Sequence, residues 1–249
     1  MSQSALEPLP LPEAWQGVVA GFTRRLESWQ GGGGASLGSS HWAALMQQAP
    51  SLAGVPGLWA QYAQAVQERG FMPDQLVLGQ QVHGNEVVRV TGPSASMHLA
   101  CDGLISNRSD VLLGVYVADC APVLLHDESV GAVGLLHSGR KGTEAGIVRV
   151  AIGKMVRELG ANRQRLRCWI GPCISARHFE LDLPALIAAD CQREGLARDR
   201  VSASGLCTAS LQERFYSYRR EKGSTGRHLF LLAPRPQRDA GLLQGLERA

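Results

Sequence analysis

The sequence lacks the features that mark membrane, secreted and nucleic-acid-binding proteins. Among its 249 residues, no apolar run approaches the roughly 18 residues of a membrane span. Residues 1–12 are rich in proline but lack a basic start followed by an apolar stretch, so they do not predict a secretory signal. The formal charge is only +3, and the basic residues form no long block, which argues against nucleic-acid binding. We therefore expect a cytoplasmic protein with neither a membrane nor a nucleic-acid partner.

Cysteine and histidine are scarce and widely scattered, with six and seven residues respectively. Without secretion the thiols stay reduced, so the cysteines predict no disulfide framework. Cys168 and Cys173 have a spacing that fits no common zinc knuckle. They are expected to be buried structural thiols, because free cysteine is usually found inside proteins.

The hydrophobic pattern predicts one large core built from strands and helices. Strands are expected at Leu76–Leu78, 87–90, 111–117, 122–126, 132–136, 166–170 and 228–232, and helices at Pro56–Glu68, 143–159 and 184–191, with a helix or helical turn at 206–216. The runs 122–126 and 132–136 flank a turn and should pair as a hairpin. Because strands and helices do not alternate regularly, the predicted fold class is α+β: a single-domain sandwich of mixed β-sheets flanked by helices.

The first 55 residues are the least regular part of the chain. A glycine run at 31–34 predicts a flexible loop. We expect residues 1–20 to form an irregular segment and residues 21–249 to form one catalytic domain.

Three residues in short glycine-containing motifs stand out: His83, Cys120 and His137. Cys120 falls between two predicted strands and His137 ends a third, so both should project from the same edge of a sheet. Two imidazoles and a thiolate suit zinc, and three protein ligands leave the fourth tetrahedral position open, as in catalytic sites. Their spacing matches no short zinc-finger pattern. The same residues could form a cysteine nucleophile with a histidine base, or be ordinary packed side chains.

Residues 138–143 lie between His137 and the next predicted helix and contain two glycines and two cations. Free backbone N–H groups, a helix N-terminus and the charges of Arg140 and Lys141 are what anion binding requires. The segment is not a P-loop. A helix cap with solvated charges is the equally weighted alternative.

These motifs, taken in order, resemble the YfiH-like family, long labelled multicopper polyphenol oxidase or laccase-domain proteins. Its members are described as purine nucleoside phosphorylases with adenosine deaminase activity. The resemblance is carried by residues 81–84, 102–105, 118–123, 137–143, 170–175, 215–220 and 225–227.

The resemblance implies a zinc-dependent enzyme acting on adenosine, inosine and methylthioadenosine, with nucleoside and phosphate as partners. One zinc ion per chain would bind His83, Cys120 and His137, with copper as the alternative metal. The implied catalytic residues are Cys120 and Asp119, and the implied phosphate-binding residues are Arg140, Lys141 and Thr143. Asp119 would carry a proton or support the metal ligand beside it. The competing interpretation is that Asp119 is a turn or hydrogen-bonding residue without a catalytic role. A monomer or a homodimer is expected.

The chain also departs from the family pattern. Where the family has His-Ala-Gly-Trp-Arg-Gly-Thr, this sequence has Ser138, Arg140 and Lys141 in place of Ala, Trp and Arg. A bidentate guanidinium is thereby replaced by the point charge of a lysine. The Asn-bearing segment expected in the N-terminal third is replaced by residues 35–38. The sequence therefore supports the metal site better than the substrate pocket.

Three other functions remain open at this stage. The first is a cysteine hydrolase that edits peptidoglycan precursors, with Cys120 as nucleophile and His137 as base. The second is a copper-dependent phenol oxidase, although the scattered histidines do not form the clusters that a multicopper site needs. The third is a metal-binding protein that has lost its activity.

Overall fold

The computed structural model describes residues 4–7, 11–12, 15, 17–25, 56–93, 97–223 and 225–235. The predicted loop at 31–34 and the divergent segment 35–38 lie outside these residues. The strands are β1 (Leu6–Glu7), β2 (Val18–Thr23), β3 (Leu76–Leu78), β4 (Val87–Arg89), β5 (Gly103–Ser106), β6 (Leu112–Val117), β7 (Ala121–Asp127), β8 (Ala132–Ser138), β9 (Arg167–Ile170), β10 (Val201–Ala203) and β11 (His228–Pro234). The helices are α1 (Pro56–Glu68), α2 (Arg140–Glu144), α3 (Ile147–Leu159) and α4 (Leu183–Arg193).

The strands form two mixed sheets. The first has five strands in the order β1-β2-β11-β6-β3, and the second has six in the order β10-β9-β7-β8-β5-β4. β3 runs parallel to β6, and β4 runs parallel to β5, whereas β7 and β8 form the expected antiparallel hairpin. This architecture, two mixed sheets flanked by helices, confirms the predicted fold class.

Both sheets are covered on both faces, which explains why their central strands are almost continuously apolar. Alternate side chains of β6 go to different cores: Leu113 and Val115 lie between the sheets, and Leu112 and Tyr116 pack in the core beneath α1. The far side of the second sheet packs against α3 and α4. The molecule is therefore layered as helix, sheet, sheet, helices.

One predicted helix differs from the observed structure. The single helix expected at 143–159 is two helices, because Gly146 adopts the left-handed conformation (φ 74°) and caps the start of α3. Residues 206–216 contain helical turns, such as the one closed by the bond from Phe215 N to Leu211 O of 2.9 Å, which is the second of the two forms predicted for them.

The described N-terminal residues include the strands β1 and β2. β2 pairs antiparallel with β11 over residues 18–22, and β1 pairs with the other edge of β2. The predicted boundary between residues 20 and 21 falls inside β2, so the segment 1–20 is not wholly irregular. The sequence signal was weak because β2 contains a glycine and only six residues. In the part of the chain that the structure describes, no helix is long and apolar enough to cross a membrane.

Candidate metal centre and cavity

The structure brings His83, Cys120 and His137 together at one end of the sandwich. His83 lies on the connection from β3 to β4, Cys120 on the connection from β6 to β7, and His137 within β8. Their potential ligand atoms all lie within 4.8 Å of one another. The two imidazoles meet edge to face, with ring centroids 4.7 Å apart and planes at 84°. His137 is buried, Cys120 is half-buried and His83 is exposed, so the group is open on the His83 side.

Asp102 organises this group, although its carboxylate is fully buried. Its oxygens accept four hydrogen bonds: Oδ2 from Val82 N (3.0 Å) and Gly84 N (2.8 Å), and Oδ1 from His83 N (2.9 Å) and His137 Nδ1 (2.8 Å). The three backbone donors hold His83 in the left-handed conformation, at φ 62°. The bond to His137 places the proton on Nδ1 and leaves the Nε2 lone pair for a metal ion, the usual support of a ligating histidine.

The three groups are electrostatically matched to a cation. Burial alone would raise the pKa of the Cys120 thiol, but the charge of His137 and hydrogen bonds from His137 and His83 lower it to about 6. Burial alone would lower the pKa of His137, but the Cys120 thiolate and Asp102 raise it to about 9. The Cys120 thiolate and the Asp102 carboxylate therefore surround a protonated His137, and a metal cation can take the place of that proton.

Asp102 itself is held as the anion. Burial would raise its pKa, but the hydrogen bond and charge of His137, together with the backbone N–H groups, lower it.

Two glycines of the 138–143 segment are required by close packing at this centre. A Cβ atom on Gly139 would lie 2.8 Å from Cys120 Sγ and 3.2 Å from His83 Cδ2. A Cβ atom on Gly142 would lie 2.7 Å from the carbonyl oxygen of Gly84. These distances are too short for any side chain, so both glycines let α2 approach the ligands.

A cavity of about 640 Å³ opens directly onto the candidate ligands, within the range of small-molecule sites. One wall carries the His-Cys-His group. Four cationic side chains also line the cavity: Arg140, Arg219, Lys222 and Arg227. Apolar and aromatic contact is provided by Tyr116, Ile174, Phe179, Leu183 and Tyr218. The cavity therefore offers flat apolar surfaces and positive charge beside a metal-ligand set.

The predicted phosphate-binding residues occupy three different positions. Arg140 lines the cavity. Lys141 is exposed and does not line it. Thr143 is buried, and its hydroxyl donates to Gly139 O (2.8 Å) and contacts Ser138 Oγ (2.8 Å). Because Lys141 and Thr143 do not line the cavity, Arg140 and the cations of the C-terminal motifs are the better candidates for binding an anion.

Asp119 lies beside Cys120 and lines the cavity, but its carboxylate is already engaged. Oδ1 accepts from Thr208 Oγ1 (2.6 Å), Oδ2 from Arg219 N (2.7 Å), and its carbonyl oxygen from Ile174 N (2.8 Å). Its backbone is left-handed, at φ 82°. Asp119 thus anchors the loops that carry the cavity residues, and the support of the metal ligands comes from Asp102.

An ion-pair bridge links Arg140 to Arg219. The carboxylate of Glu180 contacts Arg140 Nη1 at 2.6 Å and Arg219 Nη2 at 3.3 Å. Neither Glu180 nor Arg219 was assigned a role from the sequence. The sequence offered one signal, the arginines in residues 215–220 and 225–227. Sequence periodicity does not show which of these cations face a cavity.

Comparison with known proteins places the chain in a family. The family model described as multi-copper polyphenol oxidoreductase laccase matches residues 59–182 and 176–234. The chain belongs to this YfiH-like family. Purine nucleoside phosphorylase YlmD of Bacillus subtilis is 30% identical over 209 residues, covering 66% of this chain and 75% of the relative. Purine nucleoside phosphorylase YfiH of Escherichia coli is 31% identical over 185 residues, covering 64% and 73%.

Solved structures share the fold. YlmD of Geobacillus stearothermophilus superposes with a TM-score of 0.74 at 22% identity, covering 94% of this chain and all (100%) of that one. A hypothetical protein YfiH of Bacillus licheniformis gives a TM-score of 0.71 at 22% identity, covering 94% and 97%.

Proposed function

We propose that the protein is a zinc-dependent purine nucleoside phosphorylase with adenosine deaminase activity, acting on adenosine, inosine and methylthioadenosine. The observation that carries the proposal is the shared cavity: the His-Cys-His group lies on its wall together with four cations and several aromatic side chains. The names of the relatives support the phosphorylase reaction.

The donor set fits zinc. Two imidazole nitrogens and one thiolate are ligands that zinc prefers, and three of them leave a position for substrate. The zinc ion would supply Lewis acidity to the substrate or to a water molecule. Copper would also bind these ligands, but one three-ligand group does not provide the several copper ions of a multicopper oxidase.

The chain's own residues would bind and orient the substrates. Tyr116, Phe179 and Tyr218 offer flat surfaces for a purine base. Arg219 and Arg227 would hold phosphate, which attacks C1′ of the ribose while the bond to the base breaks. The base leaves with the bonding electrons and takes up the proton that the attacking phosphate gives up. Asp119 would keep Arg219 in place through the bond to its backbone N–H.

The test is a product assay on protein purified without nickel or added copper. Adenosine and inosine are incubated with and without phosphate, products are identified by mass spectrometry, and metals are counted on the same sample. We expect free base and ribose 1-phosphate only with phosphate, and about one zinc ion per chain. His83→Ala should lose zinc and turnover, whereas His178→Ala, at a histidine outside the cavity wall, should keep both. Full zinc content without any turnover of nucleosides would contradict the proposal.

A cysteine hydrolase is the second candidate, favoured by one specific observation. Asp102, His137 and Cys120 are linked by hydrogen bonds in the order of a carboxylate–histidine–thiolate triad, and the pKa of Cys120 is lowered. Iodoacetamide distinguishes the two functions. A nucleophilic Cys120 would be alkylated in zinc-loaded protein and would form an acyl adduct with substrate, whereas a zinc-ligated Cys120 is protected by the metal.

A further inference from the structure

A second pair of sulfur atoms, Cys173 and Cys207, lies behind the cavity wall. The two residues face each other across an isolated parallel β-bridge. Cys173 N donates to Leu206 O (3.2 Å), and Thr208 N donates to Cys173 O (3.2 Å). Directly paired residues on neighbouring strands lie about 4.8 Å apart, which is inside the Cα separation that a disulfide bond allows.

Cys207 has an environment that stabilises a thiolate. Its Sγ accepts hydrogen bonds from Ser175 Oγ (3.2 Å) and Ser175 N (3.4 Å). Both the side chain and the backbone of Ser210 also donate to it, and together these bonds outweigh burial, which alone would raise the pKa, and lower the pKa of the thiol. The side chain is only half-buried. Cys207 is thus both accessible and surrounded by donors, as reactive cysteines are.

Cys173 has the opposite character. It is buried, and burial followed by the charges of neighbouring cysteines raises the pKa of its thiol. It therefore remains a protonated thiol that reagents reach poorly. A pair with one accessible thiolate and one buried thiol is the arrangement of a peroxide-reactive cysteine with a resolving cysteine.

We propose that Cys207 is a site of reversible oxidation by hydroperoxides and that Cys173 resolves the product as an intramolecular disulfide. In the first step the Cys207 thiolate attacks hydrogen peroxide: an S–O bond forms, the O–O bond breaks, and hydroxide leaves and is protonated to water. In the second step Cys173 sulfur attacks Cys207 sulfur: the S–S bond forms, the S–O bond breaks, and hydroxide leaves with the Cys173 proton as water. Two thiols lose two electrons in total, and one peroxide becomes two waters.

The position of the pair connects this oxidation to the metal centre. Ile174, which follows Cys173, donates its N–H to Asp119 O. Thr208, which follows Cys207, donates its hydroxyl to Asp119 Oδ1. Asp119 in turn precedes the ligand Cys120. A cross-link between the two cysteines thus acts one residue away from two of the three hydrogen bonds that hold Asp119.

The experiment uses the full-length, zinc-loaded protein, treated with hydrogen peroxide after removal of reductant. Remaining thiols are blocked with N-ethylmaleimide, and a tryptic digest is analysed without reduction. Trypsin places Cys207 alone in the peptide 201–214, and Cys173 with Cys168 in the peptide 168–177. We expect these peptides to be joined, with the link removed by dithiothreitol. Cys173→Ser should abolish the link and leave a Cys207 sulfenic acid that dimedone captures, and Cys207→Ser should abolish both.

A second measurement tests the environment of Cys207 without any cross-link. Ser175→Ala should slow iodoacetamide labelling of Cys207 at pH 7 by about threefold to tenfold, because one donor to the thiolate is lost. Ser202→Ala is the matched control and should leave the rate within about twofold. The proposal is overturned if peroxide oxidises other cysteines while Cys173 and Cys207 stay unlinked, or if Ser175→Ala and Ser202→Ala label equally fast. Circular dichroism on each variant verifies that it is folded.

Discussion

Asp102→Asn tests the central role given to the buried carboxylate. The substitution keeps the shape of the side chain but replaces one acceptor oxygen with an NH₂ donor. Each carboxylate oxygen accepts two hydrogen bonds in the native structure. In either orientation, the NH₂ group of asparagine would therefore point at two groups that are hydrogen-bond donors in the native protein. A buried donor without a partner costs about 1–3 kcal/mol. If the NH₂ group lies at the Oδ1 position, it can donate to His137 Nδ1, and only the His83 N–H is left unpaired. The predicted loss in the free energy of unfolding is therefore at least about 1–3 kcal/mol.

The same substitution should weaken metal binding. An amide that donates to His137 Nδ1 would move the ring proton to Nε2, the nitrogen needed by the metal. Loss of such a supporting group lowers metal affinity by about 10- to 100-fold. Zinc affinity is measured by competition with a chromogenic chelator, and stability by urea unfolding. Asp110→Asn is the matched control, because that carboxylate is exposed and pairs only with Arg108 in the described contacts; it should cost under about 1 kcal/mol. The reasoning fails if Asp102→Asn matches this control in both measurements.

Three further predictions concern other positions. Gly139→Ala should reduce zinc content severely, because its Cβ would lie 2.8 Å from the ligand sulfur. Gly92→Ala should bind zinc normally in the same metal analysis, because no atom of the described residues lies within 4 Å of its Cβ. Glu180→Gln should lower the KM for phosphate about two- to fivefold at low salt by freeing Arg219, and an unchanged KM would remove Glu180 from anion binding. Burial lowers the pKa of His228 from 6.5 to about 4. The neutral histidine therefore adds about 3 kcal/mol to the free energy of unfolding above pH 6.5, and this gain is lost as the pH falls from 6.5 to 4. In urea unfolding, the stabilities of the wild type and His228→Gln should converge across that pH range.

The sequence predicted the parts of this molecule that depend on local pattern. The hairpin of β7 and β8, helix α1 and the short strand β3 lie at or within two residues of their predicted bounds, because apolar runs ended by turn residues mark them. The ligand types and glycine-containing motifs singled out the His-Cys-His group, and the resemblance to the family added support that no spacing rule provides.

What the sequence could not show depends on tertiary contacts. Asp102 was noticed only as part of a motif, because its role requires four donors from two other segments, residues 82–84 and His137. Thr143 and Lys141 were grouped with Arg140 through the resemblance. The structure buries Thr143, whose hydroxyl donates to Gly139 O, and leaves Lys141 exposed, which only the tertiary fold could show. Cys207 had no visible role, since its reactivity depends on two serines and a facing cysteine brought together by the C-terminal loops.

The location of the ligands has a thermodynamic consequence. His83 and Cys120 both lie on connections where the chain passes from the first sheet to the second, and His137 belongs to the second sheet. A bound ion would therefore tie the two sheets together at this end and would bind the folded chain alone. By mass action, free zinc at 1,000 times its dissociation constant would stabilise the native state by about 4 kcal/mol. The melting temperature of this protein should then report the free zinc concentration around it.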